Sequence, residues 1–104
     1  MRDVPFSECI AVRELVLRRG TDTVPVTLEI GRPVSLPHNP EIIACPFRLV
    51  GLGREEKMYQ VGVDSAQALQ LVFRVLPSWL EGRALIHGGV FEAFGGPDHA
   101  FGAA

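Results

Sequence analysis

Gly62-Val63-Asp64-Ser65-Ala66-Gln67-Ala68-Leu69-Gln70-Leu71-Val72-Phe73-Arg74-Val75-Leu76 holds a boundary, a secondary structure and a buried face in one stretch. An apolar strand stops at Val63. Asp64 then offers a carboxylate to the free N–H groups of a first helical turn, and Gln67 stands three residues on, where a capping box places Glu or Gln. The negative charge also suits the positive end of the helix dipole. Ala68, Leu69, Val72, Phe73, Leu76 and Leu80 recur at helical spacing, widened by Leu71, Val75 and Trp79. Gln67, Gln70, Arg74 and Ser78 form the polar side. Pro77 lacks the N–H that would reach the carbonyl of Phe73, so the pattern predicts a stop or a bend there.

Upstream of this block the periodicity is that of strands. Val24, Val26, Leu28 and Ile30 alternate with Thr23, Pro25, Thr27 and Glu29, the mark of a half-buried strand with one wet face. Pro25 has no donor for a sheet ladder and asks for an edge around it. Before it, Ile10 and Val12 share one parity and Leu15 and Leu17 the other. That switch predicts a bulge near Arg13-Glu14. Arg19-Gly20-Thr21-Asp22 is turn chemistry, so these two strands should form a hairpin. Gly31 to Pro40 carries three prolines and reads as an irregular ten-residue connection. Glu41 to Leu52 is a third strand, with a bulge or ladder gap expected at Pro46. Gly51 to Lys57 is a turn. Met58 to Val63 is a fourth strand, with Tyr59, Val61 and Val63 as its inner row.

After Gly82 the glycines at 88, 89, 95 and 96 break up Leu85, Ile86, Val90, Phe91, Phe94 and Phe101. Ala84 to His87 could add a fifth strand. The expected fold is α+β: an antiparallel sheet of four or five strands with one long helix, from the C-terminal half of the chain, on one face. A chain of 104 residues supports a single domain, with its core over about 9–87 and a glycine-rich, partly flexible tail over 88–104.

Composition excludes several functions. Hydrophobic residues make up 47% and charged residues 21% of the chain, ordinary for a globular protein. No run approaches the ~20 apolar residues of a membrane span, and Met1 to Glu8 lacks the apolar centre of a signal peptide. A cytoplasmic location away from membranes is expected. With ten basic and twelve acidic residues the net charge is −2, and no basic stripe appears, which argues against nucleic acid.

Candidate chemistry is sparse. Gly51-Leu52-Gly53 resembles the start of a phosphate loop, but the helix begins eleven residues later and no lysine follows at the needed spacing. A hairpin turn explains it better. Cys45 with His38 or His87 could be drawn as nucleophile and base, yet Cys45 precedes Pro46 inside a strand and reads as a small buried hydrophobe. A Cys9–Cys45 bridge is conceivable only if their strands are neighbours. His38, His87 and His99 show no metal-ligand spacing with Cys9, Cys45 or Asp98. Tyr59 and Trp79 are amphipathic; Trp79 reads as a lid on the core or as a contact anchor. No catalytic, cofactor-binding or metal-binding residue is therefore assigned, and no cofactor. His38, Cys45, Tyr59, Trp79 and His87 remain as residues that could line a pocket or a contact surface.

The block Cys45-Pro46-Phe47-Arg48-Leu49-Val50-Gly51-Leu52-Gly53, then Tyr59, then Gly62-Val63-Asp64-Ser65-Ala66-Gln67-Ala68-Leu69, resembles a family of small bacterial proteins that carry a domain of unknown function. The resemblance covers roughly residues 9 to 80. It implies a stand-alone bacterial domain with an N-terminal strand pair, and it brings no activity. The leading expectation is a non-enzymatic binding or interaction module, with a homodimer through an open sheet face or an edge strand, or another protein, as the partner. One alternative is a small enzyme or ligand binder with its site near the 31–40 loop and the 51–53 turn. Another is an immunity-type protein that blocks a toxin.

Overall fold

Among the described residues, six strands and one helix follow in chain order: β1 (Cys9–Arg19), β2 (Asp22–Gly31), β3 (Val34–Leu36), β4 (Asn39–Val50), β5 (Glu56–Gly62), α1 (Ser65–Ile86) and β6 (Val90–Glu92). The structure is a computed structural model that describes residues 4–6 and 8–102. All strand pairs are antiparallel. The fold is α+β, with the helix packed against one face of an open sheet.

β4 is the hub. β5 pairs with it from Ile43 to Leu49, while β2 pairs with Phe47–Val50 and β3 with Asn39, Ile43 and Ala44. Since β5 overlaps both other partners, β2 and β3 must share the opposite edge of β4. Cys45 and Pro46 fall at the hand-over between them. The ladder gap that Pro46 demands lies there, where its missing N–H leaves no bond unmade on that edge. Gly31 completes the joint, because a Cβ on it would lie 2.9 Å from the Pro46 ring. On β2, Pro25 lies beyond the last pair with β4, Thr27–Val50, so the strand is an edge around it.

The face beneath the helix holds Leu15, Leu17, Val26, Leu28, Ile30, Phe47 and Leu49, and α1 covers them with Ala68, Val72, Leu76, Leu80 and Ala84. Asp64 caps the helix: its Oδ1 accepts from the N–H of Gln67 at 2.8 Å, while Gln67 Oε1 accepts from the N–H of Val63 at 2.7 Å.

Several expectations are corrected. Of the stop or bend expected at Pro77, the stop does not occur: the helix is continuous over 22 residues, with Leu76, Pro77, Leu80 and Ala84 all buried. Burial on both sides of the proline, at ~1.5–3 kcal/mol per large side chain, outweighs the ~3 kcal/mol cost of an internal proline. The register shift in β1 lies between Cys9 and Ala11, not at Arg13-Glu14, and Ile10 and Val12 are exposed. The 31–40 connection is no irregular loop, since it contains β3 and a tight turn back into β4. Ala84 to His87 is the end of the helix, and the further strand is Val90–Glu92, paired with Val16–Arg18 of β1. Phe91 and Ala93 are buried in the core cluster.

The face of β5 is reversed. Glu56 pairs with Leu49 and Met58 with Phe47, so Glu56, Met58, Gln60 and Gly62 face the helix, while Tyr59 and Val61 turn outward. The helix comes so close that a Cβ on Gly62 would sit 2.7 Å from the backbone nitrogen of Ala68. The outer face is not simply open either. Ala44 is fully buried, and Phe6 lies over the joint, 3.0 Å from the Cβ position of Gly31 and 3.9 Å beneath the Arg48 guanidinium.

Candidate interaction groove

The C-terminal half of α1 ends in a sharp reversal. The N–H groups of His87, Gly88 and Gly89 return to the carbonyls of Arg83, Leu85 and Ala84. Gly88 takes a left-handed φ of 75°. Gly89 passes so near the Arg18 carbonyl of β1 that any Cβ would collide with it. This reversal lays β6 alongside the helix and opens a groove of about 300 Å³ between them. Leu80, Glu81, Ala84 and Leu85 form the helix wall; Val90 and Phe91 face them, and Pro97, Asp98 and His99 close one end. Leu85 is 79% exposed and Val90 51%, and Phe94 beyond them is 81% exposed.

The closing wall is tied down. The N–H of Ala93 donates to the Asp98 carbonyl at 2.8 Å, and that of Gly96 to the Ala93 carbonyl at 2.9 Å. Phe94 sits in this small loop at a φ of 58°, uncommon for a bulky residue. His99 is buried. Its Nδ1 accepts from the N–H of Phe101 at 3.1 Å, so the ring proton sits on Nε2, 3.3 Å from Glu81 Oε2. Arg13 donates to the carbonyls of Ala100 (2.8 Å) and His99 (3.3 Å), and its guanidinium lies 3.9 Å from the Phe101 ring centre. The walls are apolar and the rim is acidic: Glu81 meets His99 and Asp98 Oδ1 accepts from the N–H of Ala100. Among the described residues neither carboxylate has a lysine or arginine partner.

On the other flank of the same helix, two positions and about 200° of rotation away, Arg83 and His87 meet Glu56 of β5. Glu56 is buried; its Oε2 lies 2.6 Å from His87 Nε2 and its Oε1 3.6 Å from Arg83 Nη1. Glu56 Oε1 and Arg83 Nε complete no hydrogen bond. Among the described residues the cluster consists of Glu56, Arg83 and His87. Its evident work is to clamp the helix end to the sheet.

The five residues singled out from sequence are scattered. His38 is exposed in the β3–β4 turn. It lies at the opposite end of β4 from Gly51–Gly53, about 36 Å away for a strand of 12 residues, so His38 and the 51–53 turn do not share a site. Cys45 is fully buried with Sγ 3.4 Å from the Gly31 carbonyl, and burial pushes its thiol up to about 11. A thiol held in that state is a poor nucleophile. Cys9 is exposed, and both cysteines are free. Tyr59 is half-buried on the outer face. Trp79 packs edge-on against Phe47, ring centres 4.9 Å apart. His87 belongs to the Glu56 clamp. Arg48 is held above its ordinary pKa by its hydrogen bond to Glu29 at 2.7 Å, with Glu55 adding to the effect. Among the described residues no group of three or more His, Cys, Asp or Glu is placed to hold a metal, and no helix is long and apolar enough to cross a membrane.

Sequence reasoning missed Glu81, Leu85, Val90 and His99 as neighbours. The available signal was Leu85-Ile86, an apolar pair that continues past the polar break at Glu81-Gly82 toward the glycine turn.

Residues 11–103 match a family defined by a domain of unknown function, DUF6968. The chain belongs to this family. The match runs through the glycine-rich end, beyond the 9–80 stretch that carried the resemblance, and so takes in every residue that lines the groove. No curated protein and no solved structure matches the chain significantly.

Proposed function

We propose that this DUF6968 domain is a non-enzymatic binding module, and that its contact surface is the groove between the end of α1 and β6. One observation carries the reading: a preformed apolar recess of about 300 Å³ is bordered by Leu85 and Val90, both more than half exposed. Specific recognition concentrates in such recesses, where one anchoring side chain is desolvated and a polar rim fixes orientation. The Glu56 clamp and the Arg13–Phe101 stack hold the two walls from outside the recess, which leaves the apolar lining side chains free for a ligand.

Small organic probes test this. Titration of the ¹⁵N-labelled chain with isobutanol and with leucine amide should shift the resonances of Ala84, Leu85, Val90 and Phe91 first. Leu85→Asp should abolish those shifts with little loss of stability, since the side chain is already in water. Probes that gather instead around Met58, Val61 and Val63 on the β5 edge would refute the assignment.

A further inference from the structure

Two features of the groove specify what it takes. The first is main chain. β6 pairs with β1 along one edge only, through Val16–Arg18, and no strand among the described residues lies along its other edge. The backbone bonds of the following loop begin at the N–H of Ala93, past the end of the strand. The N–H and C=O groups on the outer edge of Val90–Glu92 therefore stand beside the recess that Val90 and Phe91 line. An exposed edge of this kind pairs with an extended peptide, and an adjoining pocket then selects one of its side chains.

The second feature is charge. Glu81 and Asp98 stand on the rim without a lysine or arginine partner among the described residues, Glu81 with its side chain 54% exposed. Among the described residues the only titratable group facing either of them within hydrogen-bond reach is His99, whose Nε2 points at Glu81. Arg13, on the closing wall, donates to the carbonyls of His99 and Ala100 and lies over the Phe101 ring, while the Arg19 side chain lies beside Gly89, where β6 begins. The Glu81–Asp98 part of the rim thus presents negative charge that no lysine or arginine among the described residues pairs, beside apolar walls.

Resting on the groove as the contact surface, we infer that its occupant is an extended segment of another protein. That segment adds a short strand to the free edge of β6, places one apolar side chain between Leu85 and Phe91, and carries lysine or arginine next to that anchor. Electrostatic complementarity of this sort sets specificity and encounter rate more than raw affinity. A second copy of this chain is disfavoured by the same charges. A two-fold contact brings each patch against itself, so Glu81 and Asp98 of one copy would face those of the other.

The test uses three short capped peptides with a shared central leucine, flanked by lysines, by serines or by glutamates, titrated into the labelled full chain at low and high salt. The lysine peptide should bind tightest and lose its lead as salt rises. It should slow amide exchange at one or more of Val90, Phe91 and Glu92. Glu81→Gln and Asp98→Asn should each cost up to about fivefold in its affinity, the range of an exposed ion pair, and leave the serine peptide unaffected. Equal binding of all three peptides at Leu85 and Val90 would overturn the basic flank and leave the groove reading standing. Binding without slowed exchange in β6 would overturn strand addition. If no peptide and no small probe perturbs the groove, both readings fall. Concentration-dependent dimerisation in sedimentation, with shifts at Leu85 and Val90, would put a second copy in the groove and overturn the inference.

Discussion

Replacing Glu56 by glutamine keeps the shape of the side chain and removes its charge. In the native protein one oxygen sits 2.6 Å from His87 Nε2 and the other 3.6 Å from the Arg83 guanidinium, with the carboxylate only 5% exposed. Hydrogen bonds that involve a charged group contribute about 1.5–3 kcal/mol. The amide can still accept from His87, but its NH₂ must then face Arg83, donor against cation. Arg83 is 32% exposed and water screens part of that clash, so Glu56→Gln should cost about 2 kcal/mol. For a domain of this size that lowers the melting temperature by roughly 8–16 °C. Glu56→Ala adds a cavity and should cost about 3 kcal/mol or more. Urea unfolding of Glu56→Gln, His87→Ala and the double variant gives the coupling energy directly. A value of about 1–2 kcal/mol is expected. If Glu56→Gln unfolds within about 0.5 kcal/mol of the parent and the coupling vanishes within error, the cluster is no clamp. Replacing all three residues by apolar ones of similar volume should recover much of the loss, because the desolvation of the charges disappears with them.

Two further outcomes rest on single residues. Gly62→Ala places a methyl 2.7 Å from the Ala68 backbone nitrogen and should cost about 2 kcal/mol or more in urea unfolding. Gly20→Ala, in open space at a φ of 61°, should cost only the ~1 kcal/mol of a left-handed alanine. Cys45 gives a pH dependence. Burial raises the folded thiol from 9.0 to about 11, so below pH 9 the thiol is neutral in both states and no stability is lost. Between pH 9 and 11 the unfolded chain releases a proton that the folded one keeps, and stability falls by up to about 2–3 kcal/mol. Urea midpoints of the parent should drop across that window relative to those of Cys45→Ala. Parallel curves would show that the thiol does not titrate as its burial demands.

What could be read from the chain is local. The alternation of Val24 to Ile30 places its inner row correctly because one face of β2 is packed and the other wet. Asp64 and Gln67 announce the cap because their partners lie within four residues. Pro46 announces a ladder gap by its own chemistry, although nothing nearby reveals that two strands share that edge. Alternation gives the wrong face for β5 because its inner row is Glu56, Met58, Gln60 and Gly62. Those identities answer to Arg83, His87 and the close approach of Ala68, none of which alternation can see. The groove escaped for the same reason. It exists only once Gly88-Gly89 folds β6 back beside the helix and His99 closes its end.

The pairing of β6 with β1 has a consequence for how the chain is made. Arg18 and Glu92, bonded side chain to side chain in the finished sheet, are 74 positions apart. During synthesis β1 and β2 emerge early as a hairpin, but the far edge of β1 has no partner until Val90–Glu92 have left the ribosome. Contacts of such span are slow to close, and an unpaired strand edge is open to association meanwhile. Arg13, Arg18 and Arg19 lie along β1, and their charge protects that waiting edge against other nascent chains. The last strand added is thus the one that makes the first strand safe.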